Sequence, residues 1–383
     1  MSLNGQLDIK LKLNQQDSRY YITQLDISLS RPNLAQQVII GQSPKMALER
    51  ISHLMSVCQQ AQTTAAKLAL GDSVSHDDIR AVQYENIEQL FWRLVIDLAP
   101  HFAIDMPLSH FSKLTQATRK AAKQKVIQKV KQAEDTASIY QLAASFFQQL
   151  SRVSPQEFLS FKQSDFQQWL AKSNAPISQC LRAIISKEAT KELVKSKLIP
   201  PVPTKALLKE IATAITANDT FIHTPTLAQQ ACETGSFSNI QSHPLVEYFS
   251  EMGIAGRFAA RLLDLAKQIE LLNDQACLAN NSLCGVLTCN EVNQSNKRIA
   301  WLQTARGLLI HMANLQGNKI SQYSILAPTE WNFHPQGSLE KALVNTHYPC
   351  EQSAIDAAKL VTIALDPCIE FTLQSTNLGV AYA

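Results

Sequence analysis

The apolar residues of this 383-residue chain change period twice along its length, and those changes restrict the fold more than any single motif. Near the start, Leu7, Ile9, Leu11 and Leu13 lie two apart, and Tyr21, Leu25, Ile27 and Leu29 repeat that rhythm less cleanly. Alternation of this kind buries one face of a strand, so the polar run Asn14-Gln15-Gln16-Asp17-Ser18 between them predicts a β-hairpin turn. Pro32 stops the second strand.

From Ser43 the spacing becomes three and four, through Met46, Leu48, Ile51, Leu54, Met55, Cys58, Ala61, Ala65 and Leu68. This is one face of a helix. Ser43 suits the N-cap, Pro44 the first turn and Gly71 the C-terminal stop, so the pattern predicts one helix over 43–71. A second helix is expected from Ser75, with Asp77 and Asp78 in its first turn, to the neighbourhood of Pro100. Residues 105–275 read as mostly helical, with a basic, solvated face over 118–131, a sharp connection at Pro200-Pro201-Val202-Pro203 and a strong amphipathic helix over 253–272. After Asn280 the period returns to two. Residues 283–288, 299–303, 307–312 and 320–326 read as strands, with a turn at Gln316-Gly317-Asn318. A last helix is expected over 351–365, ended by Asp366-Pro367.

The predicted fold is therefore mainly α (α+β). An N-terminal β-hairpin and connection fill 1–42, a helical core of long antiparallel helices fills 43–275, and a C-terminal β segment and helix fill 276–383. These are read as one integrated domain. Lys and Arg total 35 against 32 Asp and Glu, a balance too even for a nucleic-acid binder that relies on phosphate contacts. No apolar run reaches the roughly 18 residues of a membrane helix. The opening MSLNGQLDIK lacks a basic region followed by an apolar core, so no secretory signal is expected. The eight cysteines, at 58, 180, 232, 277, 284, 289, 350 and 368, are scattered and form no CxxC pair. Reduced thiols in a cytoplasmic protein, with no nucleic-acid and no membrane partner, are the expectation.

Two cysteines stand in places that suggest metal chemistry: Cys58, in LMSVCQQAQ, and Cys368, in Asp366-Pro367-Cys368. Either alone would read as a packing thiol. Their context differs. In order come Ala305-Arg306-Gly307, His311, Gly317-Asn318-Lys319-Ile320, Ala327-Pro328-Thr329-Glu330-Trp331-Asn332-Phe333, a helix, and Asp366-Pro367-Cys368. With Gly41-Gln42 and the Leu54–Gln62 segment, this series resembles the large subunit of nickel–iron hydrogenases. The match is carried by residues 30–70 and 295–375.

The departures from that family are as telling as the match. Its enzymes carry two C-x-x-C pairs whose four thiolates bind nickel, two of them bridging to an iron with cyanide and carbonyl ligands. Here the pairs read Met55-Ser56-Val57-Cys58 and Cys368-Ile369-Glu370-Phe371. The His that follows each pair falls at Gln62 and Gln374, and a proton-relaying Glu falls at Gln36. Two thiolates cannot complete a soft, sulfur-rich nickel cage, and Gln cannot carry a proton. No nickel is expected. By contrast, Arg306 matches the arginine beside the iron's cyanides, and Pro328 and Thr329 match the positions lining the diatomic ligands. Guanidinium and hydroxyl donors suit a cyanide nitrogen. Only Cys58 stands where an iron ligand does. Cys368 matches a nickel-only ligand and would have to swing onto the iron.

This pattern is similar to that of the HupK/HoxV type of hydrogenase maturation protein, a shortened relative of the large subunit, and the segment from Glu85 to Leu94 followed by Asp97 fits that group as well. The resemblance implies a non-catalytic scaffold. Cys58 and Cys368 would transiently hold an Fe(CN)2(CO) precursor, with Arg306, Pro328 and Thr329 around its ligands. Its partners would be the hydrogenase maturation chaperones and, as acceptor, the hydrogenase large subunit. Two other readings stand beside it: a degenerate nickel–iron hydrogenase or hydrogen sensor, and a metal-free protein that binds chaperones through its surface.

Other candidates have plainer readings. His53, on an apolar helix, is read as a hydrogen-bonded edge histidine and not a ligand. Cys284 and Cys289, five apart in a strand, fall on opposite faces and read as packing residues. Trp331 and Asn332 read as structural, and Arg257 and Arg261, at i and i+4, as salt-bridged or solvated.

Overall fold

A computed structural model describes residues 5–16, 18–31, 34–55, 57–123, 129–187, 196–273, 283–290 and 296–377. The chain forms two compact units from interleaved segments: one from 1–74, 194–238 and 283–383, the other from 75–193 and 239–282. The three consecutive segments read from the sequence mark changes of secondary structure. The compact units are drawn differently, because strands from both ends of the chain share one sheet.

In chain order the first unit contains β1 (Gln6–Gln16), β2 (Arg19–Ser30), α1 (Leu34–Ile39), α2 (Pro44–Leu54), α3 (Gln59–Leu70), β3 (Lys197–Leu198), α4 (Lys205–Ala217), β4 (Thr226–Leu227) and β5 (Gln230–Glu233). Then follow β6 (Cys284–Asn290), β7 (Asn296–Thr304), β8 (Gly307–Gln316), β9 (Lys319–Leu326), α5 (Pro328–Asn332), α6 (Ser338–Leu343), β10 (His347–Tyr348), α7 (Glu351–Leu365) and β11 (Phe371–Asn377). The hairpin β1–β2 is as the alternation predicts: Leu7, Ile9, Leu11 and Leu13 are wholly buried. Leu7 pairs with Leu29, Ile9 with Ile27 and Leu11 with Leu25. The strands run further into the polar segment than expected, to Gln16 and from Arg19. β11 adds to β1 in parallel, with Phe371 opposite Leu7, so the residues just after Cys368 are tied to the N-terminal strand.

The second sheet is an antiparallel meander, β6-β7-β8-β9. It carries apolar residues on both faces, unlike the half-solvated antiparallel sheet. Ile299, Trp301, Ile310 and Met312 pack with Leu208, Ile211 and Ile215 of α4. Ala300, Ala313 and Tyr323 pack with Ile51, Ala66 and Ala69 of α2 and α3. That double cover explains the nearly continuous burial of β8, and it fixes α2, α3 and the 305–306 turn as one body.

One expectation fails where it matters. The single helix predicted over 43–71 is two helices, α2 and α3, separated at residues 55–58. Ser43 caps α2 by accepting from the Met46 N–H, and Gly71 closes α3 with φ 81°, both as read. Between them Cys58 adopts the left-handed region, φ 54° and ψ 40°, and is the N-cap of α3. Apolar spacing reports which face is buried. A short interruption leaves the face, and therefore the spacing, unchanged.

The second unit is helical. Ser75 and Asp78 form a capping box that opens the helix His76–Trp92. The helix Ile254–Glu270 lies at its centre, buried almost all round. Arg257 and Arg261 on that helix are 5% and 3% exposed, so the solvated reading is corrected: they are interior residues, with the Arg261 guanidinium over the Phe258 ring at 5.8 Å. Among the described residues no helix is long and apolar enough to cross a membrane.

Candidate metal site

The break between α2 and α3 and the stop of α7 each present one cysteine. At the first, the left-handed conformation of Cys58 costs a residue with a Cβ about 1–2 kcal/mol. Its carbonyl accepts from the Gln62 N–H at 2.9 Å, while its side chain makes no capping bond. The sulfur is thus left to other partners. At the second, Asp366 ends α7 in the left-handed region, φ 59°, with its N–H shared between Thr362 and Ile363 carbonyls. Pro367 then prevents the helix from resuming, and Cys368 follows.

Arg306, in the turn between β7 and β8, bridges these two places. Its Nη1 donates to Cys58 Sγ at 2.9 Å, and its Nε donates to Asp366 Oδ1 at 3.0 Å. The Arg306 and Asp366 side chains are 5% and 2% exposed. Thr329, in the first turn of α5, donates its hydroxyl to Cys368 Sγ at 3.0 Å and accepts from the Cys368 N–H at 3.2 Å. Arg31, directly after β2, donates from Nη2 to Cys368 Sγ at 3.0 Å. Its Nε lies 3.2 Å from Glu330 Oε1. Pro328 is the buried first residue of α5 and sets the helix that carries Thr329 and Glu330.

Both guanidiniums are held above the usual arginine range. Burial works against their charge. For Arg306 this is outweighed by Asp366 first and then by Cys58 and Cys368. For Arg31 it is outweighed by Cys368 first and then by Glu330 and Cys58. Arg306, which donates to Cys58 Sγ and to Asp366 two residues before Cys368, brings the two cysteines to one region although 310 positions separate them (368 − 58 = 310). In each of these three contacts sulfur is the acceptor. Both cysteines are partly exposed, unlike the buried Cys180, Cys232 and Cys284. Among the described residues no three His, Cys, Asp or Glu side chains converge as a complete metal cage. Each sulfur is thus set among N–H and O–H donors, Arg306 at Cys58 and Arg31 with Thr329 at Cys368.

The sequence model of the nickel-dependent hydrogenase family matches residues 215–372. The hydrogenase expression/formation protein HoxV of Cupriavidus necator is 23% identical, with 92% of this chain and 94% of that protein covered. HupK of Rhizobium leguminosarum is also 23% identical, with 93% and 94% covered. The reduced, active Ni-Fe-Se hydrogenase of Desulfomicrobium baculatum superposes with a TM-score of 0.62 over 93% of this chain and 95% of that one, at 11% identity. This chain is similar to the HupK and HoxV proteins over nearly its whole length. It has the fold of the hydrogenase large subunit.

Arg306, Thr329, Cys58 and Cys368 come together, and they are not the whole of the expected set. Met55 packs with the apolar cluster of α2, α3 and the meander, so its thioether serves that core. Gln62 is buried, and its Oε1 accepts from His311 Nε2 at 2.8 Å, while His311 Nδ1 faces the Tyr323 hydroxyl at 2.6 Å. Burial pushes the His311 ring down to about 3, so it stays neutral within this chain of three. Gln374 lies exposed on β11 opposite Lys10, and Phe371 is half-buried opposite Leu7. The Gln36 side chain and the Cys289 side chain lie outside the described residues. His53 is exposed at the end of α2. Trp331 is wholly buried. Asn332 accepts from the Thr234 N–H at 2.9 Å and donates to the Leu365 carbonyl at 3.1 Å, tying α5 to the end of α7.

Sequence reasoning missed Arg31 and Glu330. Arg31 follows a strand whose alternation has ended, where charged residues are common and carry no pattern. Glu330 offered a signal: it is a charged residue inside the otherwise buried segment Ala327–Phe333.

Proposed function

We propose that this protein acts in hydrogenase maturation as a non-catalytic scaffold that transiently holds an Fe(CN)2(CO) unit. It receives that unit from maturation chaperones and yields it toward the hydrogenase large subunit. The HoxV and HupK relatives, named as expression/formation proteins, support the maturation role. The observation that carries the finer reading is the convergence of Cys58 and Cys368 among donors: Arg306 on the first sulfur, Arg31 and Thr329 on the second. The cargo already has three diatomic ligands, so two thiolates are enough to seat it, and few protein bonds must break at release. Its cyanides are anionic acceptors, which guanidinium and hydroxyl groups recognise. Met55 turned into the core and Gln62 in place of an ionisable side chain argue against turnover of hydrogen at a nickel–iron centre.

The test is infrared spectroscopy of the full chain purified after co-production with the maturation chaperones. Cyanide and carbonyl stretching bands are expected, and each should be lost in Cys58→Ala and in Cys368→Ala. Bands that persist in the double variant contradict the reading. Chaperone binding unchanged by loss of both cysteines, in protein that contains no iron, favours the metal-free alternative.

A further inference from the structure

The two arginines of the site are each set beside a buried carboxylate. Arg306 is held at Nε by a buried carboxylate, Asp366 Oδ1 at 3.0 Å, and turns Nη1 onto Cys58 Sγ at 2.9 Å. Arg31 Nε makes no hydrogen bond among the described residues but lies 3.2 Å from a buried carboxylate, Glu330 Oε1, as an ion pair, and Nη2 donates to Cys368 Sγ at 3.0 Å. The two supports differ in where they come from. Asp366, two residues before Cys368, steadies the guanidinium of the other sulfur. Glu330, next to the threonine that donates to Cys368, steadies the guanidinium of that same sulfur. Only the Arg306 half was expected from the hydrogenase resemblance.

A guanidinium is planar; for Arg306 the Nε hydrogen bond fixes one edge, and for Arg31 the charge of Glu330 beside Nε draws that edge and leaves the Nη edge turned toward Cys368. Glu330 is 5% exposed, and its Oε2 accepts no hydrogen bond. Burying a carboxylate is expensive unless it is paired. The pair with Arg31 is what keeps Glu330 there, and an ion pair held beside a thiol has little value for stability alone. Arg31 itself is 26% exposed, so its guanidinium opens toward solvent while that of Arg306 is buried. An incoming anionic unit meets Arg31 first.

We propose that Arg31, aimed by Glu330, is the second anion-binding guanidinium of this site, giving each cysteine sulfur its own positive partner for a guest with two anionic ligands. This rests on the scaffold reading for the identity of the guest, but not for the role of Arg31. The arrangement answers the chemistry of a dicyano unit: two anionic acceptors meet two guanidiniums, and a carbonyl, a poor acceptor, needs neither. Arg31 is a positioning and specificity residue and holds no metal.

The test uses a small anion that needs no cargo. The full chain is alkylated with iodoacetate, which is anionic, and with iodoacetamide, which is neutral, and modification at each cysteine is followed by peptide mass spectrometry. The ratio of the two rates at one sulfur reports the positive charge beside it. Arg31→Gln is expected to lower the iodoacetate preference at Cys368 about tenfold and to change Cys58 by less than about threefold, as the distance dependence of Coulomb attraction requires. Arg31→Lys keeps the charge and should retain most of the preference. Glu330→Gln leaves Arg31 charged but unaimed and should give an intermediate loss at Cys368. An unchanged ratio at Cys368 in Arg31→Gln, or an equal loss at both sulfurs, overturns the proposal. Far-ultraviolet circular dichroism of each variant separates these results from misfolding, and Arg31→Lys supplies the decisive comparison should Arg31→Gln fail to fold. Wild-type protein without cyanide bands, together with the expected alkylation pattern, refutes the cargo and leaves the anion site standing.

Discussion

Replacing Asp366 by Asn tests the pair on which the geometry of Cys58 depends. The Arg306 and Asp366 side chains are 5% and 2% exposed, so water cannot take the place of the lost charge. Removing one member of a buried pair costs about 3–5 kcal/mol. Arg306 keeps Cys58 as an acceptor at 2.9 Å, which places the expected cost at the lower end, about 3 kcal/mol. Asn is among the few residues that tolerate the left-handed backbone at this position, φ 59°, so no conformational penalty is added. Asp366→Ala should cost about 1 kcal/mol more for that reason. Hydrogen exchange followed by mass spectrometry is the suitable assay, because a chain of two compact units need not unfold in one step. At about 1.4 kcal/mol per factor of ten, the slowest amides of β8 should exchange about a hundredfold faster in Asp366→Asn. Asp26→Asn provides the control: its pair with Lys12 spans 3.8 Å with side chains 37% and 48% exposed, and β8 exchange should be unchanged. Exchange in Asp366→Asn within about threefold of wild type would refute a charge-dependent clamp.

Three further outcomes are expected. His311 is neutral in the fold, with its ring pushed to about 3 from 6.5 by burial, so the unfolded chain binds the extra proton between those limits. Stability from this residue is complete above pH 6.5 and falls as pH drops toward 3, by at most about 1.4 kcal/mol per pH unit; His311→Gln should flatten the stability profile of equilibrium denaturation there by one proton. Cys58→Gly should be more stable than Cys58→Ala by about 1 kcal/mol, since only glycine is unstrained in the left-handed region, and thermal unfolding reads the difference. Trp331 is wholly buried in the cluster joining the meander to α4, and Trp331→Ala should cost about 3–5 kcal/mol in the same measurement.

Much of the fold was legible because burial writes a period into the sequence. The alternation of Leu7, Ile9, Leu11 and Leu13 gave the hairpin, and the helix over 351–365 matched α7 at both ends. The break at Cys58 was not legible, because α2 and α3 bury the same face and the spacing runs through the gap. Nor does local patterning show that β11 pairs with β1, since two half-buried strands carry no mark of each other. At the site, Cys58, Cys368, Arg306 and Thr329 were named through order and resemblance, and nothing in the periodicity brings them together. Asp366 was read as a helix stop. It is that, and its buried carboxylate also orients Arg306. Arg31 and Glu330 lie 299 positions apart (330 − 31 = 299), and an ion pair formed through tertiary structure leaves no local trace.

The central claim is that Cys58 and Cys368 share one iron-centred guest. Iron K-edge X-ray absorption of the full chain, purified anaerobically after co-production with the chaperones, tests it most directly. Two sulfur neighbours at about 2.3 Å are expected in the wild type, and no bound iron in either single cysteine-to-alanine variant. Iron with the same sulfur count in the double variant, or no iron in the wild type, would contradict it.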